Sequence, residues 1–124
     1  MPWTVAAPSA ELAAVRLDLT GVVSAVDVEA AFRETLGLCV HHDVWLVLAD
    51  ATAMTAAHSI IDIYEMITAI ADLGVQDRFR EALVCPTDPV AYDRVRFWED
   101  AAVNRGLACA AFLTEDAAVA WLLP

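Results

Sequence analysis

Val44-Trp45-Leu46-Val47-Leu48-Ala49 is an unbroken apolar run that meets a charge only at Asp50. A strand with one wet face alternates apolar and polar residues. A run without alternation suits a strand covered on both faces, as in a parallel sheet. Upstream, residues 12–20 do alternate: Val15, Leu17 and Leu19 interleave with Arg16 and Asp18, so this second strand has one solvated face. Trp3–Ala6 reads as a short edge strand, set off by the Pro8-Ser9 turn and paired antiparallel with the second strand, which Gly21 ends. Between the second strand and the apolar run, Asp27 is placed to cap a helix over about 28–37. Val28, Phe32, Leu36 and Cys39 lie on one face of it, and Gly37 is its stop signal.

Downstream, a loop of small residues over 51–58 leads to Ser59, which opens a helix running to Leu73, and Gly74 stops it. Residues 79–85 form the next strand. Pro86-Thr87-Asp88-Pro89 then turns into a helix, with Asp88 as cap and Pro89 at the first position, where its missing N–H is harmless. Ala91, Val95, Trp98 and Ala102 make the inward stripe of that helix, and Gly106 ends it. Residues 107–113 are another buried strand. Thr114 caps a last short helix whose anchors are Trp121 and Leu122, with Glu115 and Asp116 at its positive end. The expected architecture is α/β: an opening hairpin and four β-α units. The sheet is mixed, mostly parallel and four- or five-stranded, with four helices in a single domain over 1–124, residues 1–10 being the edge strand and turn.

The chain has 124 residues, 60% of them hydrophobic, and a net charge of −11 from 18 acids against seven bases, all arginine. Such composition excludes disorder. The charge repels phosphate backbones and anionic lipid, which speaks against nucleic acid as a partner. No uncharged stretch is long enough to span a bilayer, and the first residues lack the basic and apolar regions of a signal peptide. Cys39, Cys85 and Cys109 are odd in number and widely spaced, which fits reduced thiols in a cytoplasm.

Ligands of open parallel sheets gather beyond the strands' carboxyl ends. That rim collects Asp50, His58, Ser59, Asp88 and residues 114–116. No glycine-rich phosphate loop is present, so no nucleotide or other cofactor is expected. His41-His42-Asp43 reads as a solvated turn and not a metal site, because no third ligand has usable spacing. His58 beside Ser59 lacks an orienting acid, which disfavours a catalytic pair. Cys85 reads as core or rim packing. Asp93, Arg94, Arg96, Glu99 and Asp100 read as a solvated outer face, with Arg96 paired to Asp100.

In the helix opened by Ser59, Asp62, Glu65, Thr68 and Asp72 cover an arc of about 120° at about 100° per residue. Ile60, Ile61, Ile63, Tyr64, Met66, Ile67, Ile70 and Leu73 occupy the rest, more than one sheet face needs. The surplus has three readings: packing against helices of the same layer, a homodimer or partner-protein contact, or the wall of an apolar ligand pocket. Ile60, Ile63, Tyr64, Met66, Ile67 and Ile70 are the corresponding interface or ligand candidates.

The run Leu48-Ala49-Asp50, eight further residues and then Ser59 at a helix start resembles the STAS domain of anti-sigma-factor antagonists. In that family the serine at this place is phosphorylated by a partner kinase, which makes Ser59 the phosphorylation candidate. The local sequence here is His58-Ser59-Ile60-Ile61, without the family's Asp, second Ser and Gly. Arg94 with Glu99, Gly106 and the ending Phe112-Leu113-Thr114-Glu115-Asp116-Ala117 with Trp121-Leu122 are similar to a SpoIIAA-like branch related to lipid carriers. The resemblance covers about residues 12–123. It implies a β-α superhelix with helices largely on one side of a mixed sheet, and roles in apolar-ligand binding or peripheral membrane association. The expected function is a non-catalytic regulatory module acting through protein contacts. The alternative is a carrier of a small apolar or lipid-like molecule.

Overall fold

A computed structural model describes all residues, Met1–Pro124. The elements are β1 (Trp3–Ala6), β2 (Val15–Val23), α1 (Ala25–His42), β3 (Leu46–Ala56), α2 (Ile60–Ala71), β4 (Arg80–Val84), α3 (Pro89–Asn104), β5 (Ala108–Phe112) and α4 (Glu115–Leu122). The five strands form one sheet in chain order, β1-β2-β3-β4-β5. β1 runs antiparallel to β2, and every other pairing is parallel.

The unbroken apolar run behaves as its composition demands. Val47, Leu48 and Ala49 are all fully buried. Val47 and Ala49 face the large core that α1, α2 and α3 close, with Leu17, Phe32, Ile63, Ile67 and Trp98. Leu48 faces a smaller core of Ala14, Ala82, Val84, Ala118 and Leu122 beneath α4. That helix packs mainly across β3, β4 and β5, and meets β2 at the Arg16–Glu115 ion pair. The uncovered back of β2 is where Arg16 and Asp18 stand, which explains why only this strand alternates.

The boundaries of α1, β2 and β3 differ most from the sequence expectation. First, α1 starts at Ala25, capped by Ser24 and not by Asp27. The Ser24 hydroxyl accepts from Asp27 N–H at 3.3 Å, and the Asp27 carboxylate accepts from Ser24 N–H at 2.9 Å. Such a reciprocal box satisfies two otherwise orphaned donors. The helix also runs through Gly37 and ends at Asp43, in the left-handed region at φ 52°. His41 and His42 are therefore its last helical turn rather than a loop.

Second, β2 does not end at Gly21, and β3 does not end at Asp50. Residues 51–56 continue β3 and pair with β2 as far as Val23, past a register shift between Asp18 and Thr20. Gly21, at φ 70°, supplies the backbone conformation this irregular stretch needs. β4 pairs only with Leu46 to Asp50, so β2 and β3 project beyond it as a two-stranded ribbon. Third, β2 begins at Val15, with residues 12–14 outside it.

Candidate functional site

The rim residues do not converge. Asp50 lies on the α4 face, inside the sheet, opposite Val84. Its Oδ2 receives Arg16 Nη2 at 3.3 Å. The same guanidinium reaches Glu115 at 2.7 Å and Asp18 at 3.1 Å. Arg16 thus gathers three carboxylates beside the start of α4. Asp88 caps α3, accepting from Ala91 N–H at 2.9 Å. His58 lies on the opposite face from Asp50, under the three helices. Asp50, His58, Ser59, Asp88 and Thr114 are each already engaged in a contact within the fold.

Ser59 is exposed and caps α2 as the sequence predicts. Its hydroxyl accepts from Asp62 N–H at 3.3 Å and donates to the Asp62 carboxylate at 2.9 Å, while Ser59 N–H donates to the same carboxylate at 2.7 Å. These donors hold the Asp62 carboxyl below its ordinary range.

The apolar arc of α2 divides. Ile63, Ile67 and Ile70 are buried in the main core. Along the flank toward α3, Tyr64 remains exposed, and the Arg105 guanidinium lies 4.9 Å from its ring centre. Toward α1 a groove of about 430 Å³ opens, lined by Val26, Leu36 and Met66 and edged by Glu29, Asp62 and Glu65. Its one cation, Arg33, is paired with Glu29. Val26 is 75% exposed and Ile61 67% exposed, and Ile60 is also open to solvent.

On the main-core face a second, smaller space of about 40 Å³ sits between the sheet and α1, α2 and α3. Ala51, Ile63, Leu83 and Trp98 are among its apolar walls, and its two polar residues are His58 and Arg94. His58 is only 7% exposed. Its Nδ1 bonds the Val23 carbonyl at 3.2 Å, and burial lowers its pKa. Arg94 Nε donates to the His58 carbonyl at 3.1 Å. The sequence places Arg94 on a solvated face, but the structure turns it in. The neighbouring pair also differs: Arg96 meets Glu99, at 3.4 Å, and not Asp100. Glu99 in addition accepts the Ala111 N–H at 2.7 Å, satisfying a donor of the edge strand β5.

Sequence reading missed Glu81, a carboxyl at 0% exposure near the start of β4. Trp98 Nε1 donates to its Oε1 at 2.7 Å, the Cys109 thiol lies 3.6 Å from the same oxygen, and Oε2 has no partner. The available signal was a lone acid in a segment otherwise fit for burial on both faces. The three thiols are free and buried. Burial pushes Cys85 above its ordinary value and Cys39 up to about 11, so neither is poised as a thiolate near neutral pH.

No family model matches the chain, and no curated protein matches it. Among solved structures, it is similar to an uncharacterized protein of the DUF3478 family with a SpoIIAA-like fold, from Shewanella loihica PV-4. The TM-score is 0.62 at 14% sequence identity, over 97% of this chain and 93% of that one. No helix is long and apolar enough to cross a membrane. With three helices on one face of a mixed, mostly parallel sheet laid down in chain order, the chain has a SpoIIAA-like fold.

Proposed function

We propose that this chain is a non-catalytic cytoplasmic interaction module that receives an apolar, basic-flanked segment of a partner protein between α1 and α2. The supporting observation is the unpartnered flank at the start of these helices, where Val26, Ile60 and Ile61 are exposed beside the groove that Met66 lines. Apolar anchors along such a groove are the usual means of holding an amphipathic helix. Its edge carries Glu29, Asp62 and Glu65 against the single, already paired Arg33. A second copy of a chain with net charge −11 would add like charge there. The charge pattern therefore favours a different, basic partner over a homodimer. A lipid-carrier role has less support, since the space of about 40 Å³ under the helices falls well short of the roughly 150 Å³ that takes up benzene.

The test is a backbone NMR titration with two amphipathic helical peptides of equal hydrophobicity, one flanked by lysine and one by glutamate. The expected result is saturable shifts at Val26, Ile61 and Met66 with the lysine peptide only, lost in the Ile61→Asp variant. Shifts scattered over the surface, or equal response to both peptides, overturn the reading.

A further inference from the structure

We propose that the free edge of β3 over Ala53–Ala56 is a self-association strand, which pairs antiparallel with the same segment of a second copy across a two-fold axis and joins the two sheets into one. The proposal is independent of the α1–α2 groove and stands on different residues.

The open edge is the first ground. Ala53–Ala56 pair with Thr20–Val23 of β2 on one side, while the pairing with β4 stops at Asp50 and Val84. Between the pairs Asp18–Asp50 and Thr20–Ala53, β3 carries one residue more than β2. This stretch is tied down where Thr52 N–H donates to Asp50 Oδ1 at 2.9 Å. Beyond it, no backbone hydrogen bond arrives from the β4 side. A strand turns its N–H and C=O groups to both neighbours, so part of this backbone has no partner within the chain.

The contrast with the other edges is the second ground. Folded sheets blunt an exposed edge with brevity, proline, charge or cover. β1 is four residues long and lies between Pro2 and Pro8. On β5 the Glu99 carboxylate occupies the Ala111 N–H. The tip of β3 has no such guard. It contains no proline, and no acid or arginine stands between Asp50 and Asp62 or between Asp18 and Asp27. Ala53 and Thr55 are exposed there, beside Thr20, Gly21 and Val22 of β2.

Charge names the occupant. With a net charge of −11, two copies repel wherever their carboxylates face one another. On this uncharged ribbon they do not. A basic partner would find no carboxylate to meet. A two-fold axis lets one edge serve as both halves of the contact, and the small outward side chains Ala53 and Thr55 let the backbones close. Met54 and Val23 are already buried on the core face, so the strand needs no rearrangement to pair.

The experiment is sedimentation velocity on the intact chain from about 5 μM to about 1 mM, at about 50 mM and about 500 mM salt, with amide hydrogen exchange at both ends of the concentration range. The expected result is a reversible dimer whose Kd falls about tenfold at the higher salt, because the outlying carboxylates are then screened. Exchange within residues 53–56 should slow about tenfold or more in concentrated protein, with β1 and β5 unchanged. Thr55→Lys and Thr55→Glu should each weaken the dimer about tenfold, and an equimolar mixture of the two should restore it. A chain that stays monomeric at every concentration and salt overturns the proposal. So does a dimer whose protected amides lie elsewhere, which the parent chain reveals without any variant, or one that neither substitution at Thr55 weakens.

Discussion

The Trp98 indole N–H points at Glu81 Oε1 from 2.7 Å away, linking α3 to the start of β4 inside the main core. The second oxygen of that carboxyl meets no donor, and the group is wholly buried. Burial pushes its pKa up to about 7, against which the Trp98 and Cys109 hydrogen bonds pull down.

The raised value fixes a pH dependence. Between the ordinary glutamate value of 4.5 and about 7, the folded chain holds a proton at Glu81 that the unfolded chain has released. Stability from this group is complete below the lower value and is lost as pH rises through the upper one, by on the order of 3 kcal/mol. Glu81→Gln keeps an acceptor for Trp98 without the titration. Its urea midpoint should match the parent near about pH 5 and exceed it near about pH 8, in proportion to that loss. Comparison with the parent at each pH cancels the opposite drift from neutral, buried His58.

Trp98→Phe preserves the aromatic stack on Phe32, whose ring centre lies 4.5 Å away, but removes the donor. It should destabilise by about 1–3 kcal/mol at neutral pH, because Glu81 keeps its burial and loses its best partner. In the Glu81→Leu background the same change should cost much less, and chemical denaturation of the four proteins gives the coupling.

Ser59→Ala removes the cap of α2 and should cost about 1 kcal/mol, recoverable with Ser59→Asp. The Asp62 carboxyl should titrate closer to its ordinary range in the alanine variant, since the Ser59 hydroxyl that helps hold it down is gone. Carboxyl-carbon NMR follows both effects in one sample.

Arg16→Met leaves Asp18, Asp50 and Glu115 facing one another without their shared cation. The loss should be on the order of 1 kcal/mol at low salt and should shrink at high salt, as half-exposed charges are screened. Thermal unfolding at two ionic strengths measures it.

Much of this architecture is local and therefore legible. The apolar run ending at Asp50, the Ser59 cap, the Asp88-Pro89 start and the Ala91–Val95–Trp98–Ala102 stripe each declare themselves within a few residues. What sequence hides is pairing at a distance. Residues 51–56 carry the small side chains of a loop, and only the matching extension of β2 past Gly21 makes them a strand. The end of α1 is set by Asp43, and nothing near Gly37 reveals that it is passed over. The candidate sites were the least legible part. Arg94 sits among charged neighbours, and its inward turn depends on the His58 carbonyl 36 positions earlier.

Because spatial and chain order coincide in this sheet, every strand finds a neighbour as soon as it emerges from the ribosome. None has to wait for a later segment to be threaded between two earlier ones, which keeps loop closures short and assembly fast. The exception is the back side. Leu48, Ala82 and Val84 stay wet until Ala118 and Leu122 arrive, so α4 acts as the final latch, and a nascent chain stalled before it would display a sticky, unfinished surface.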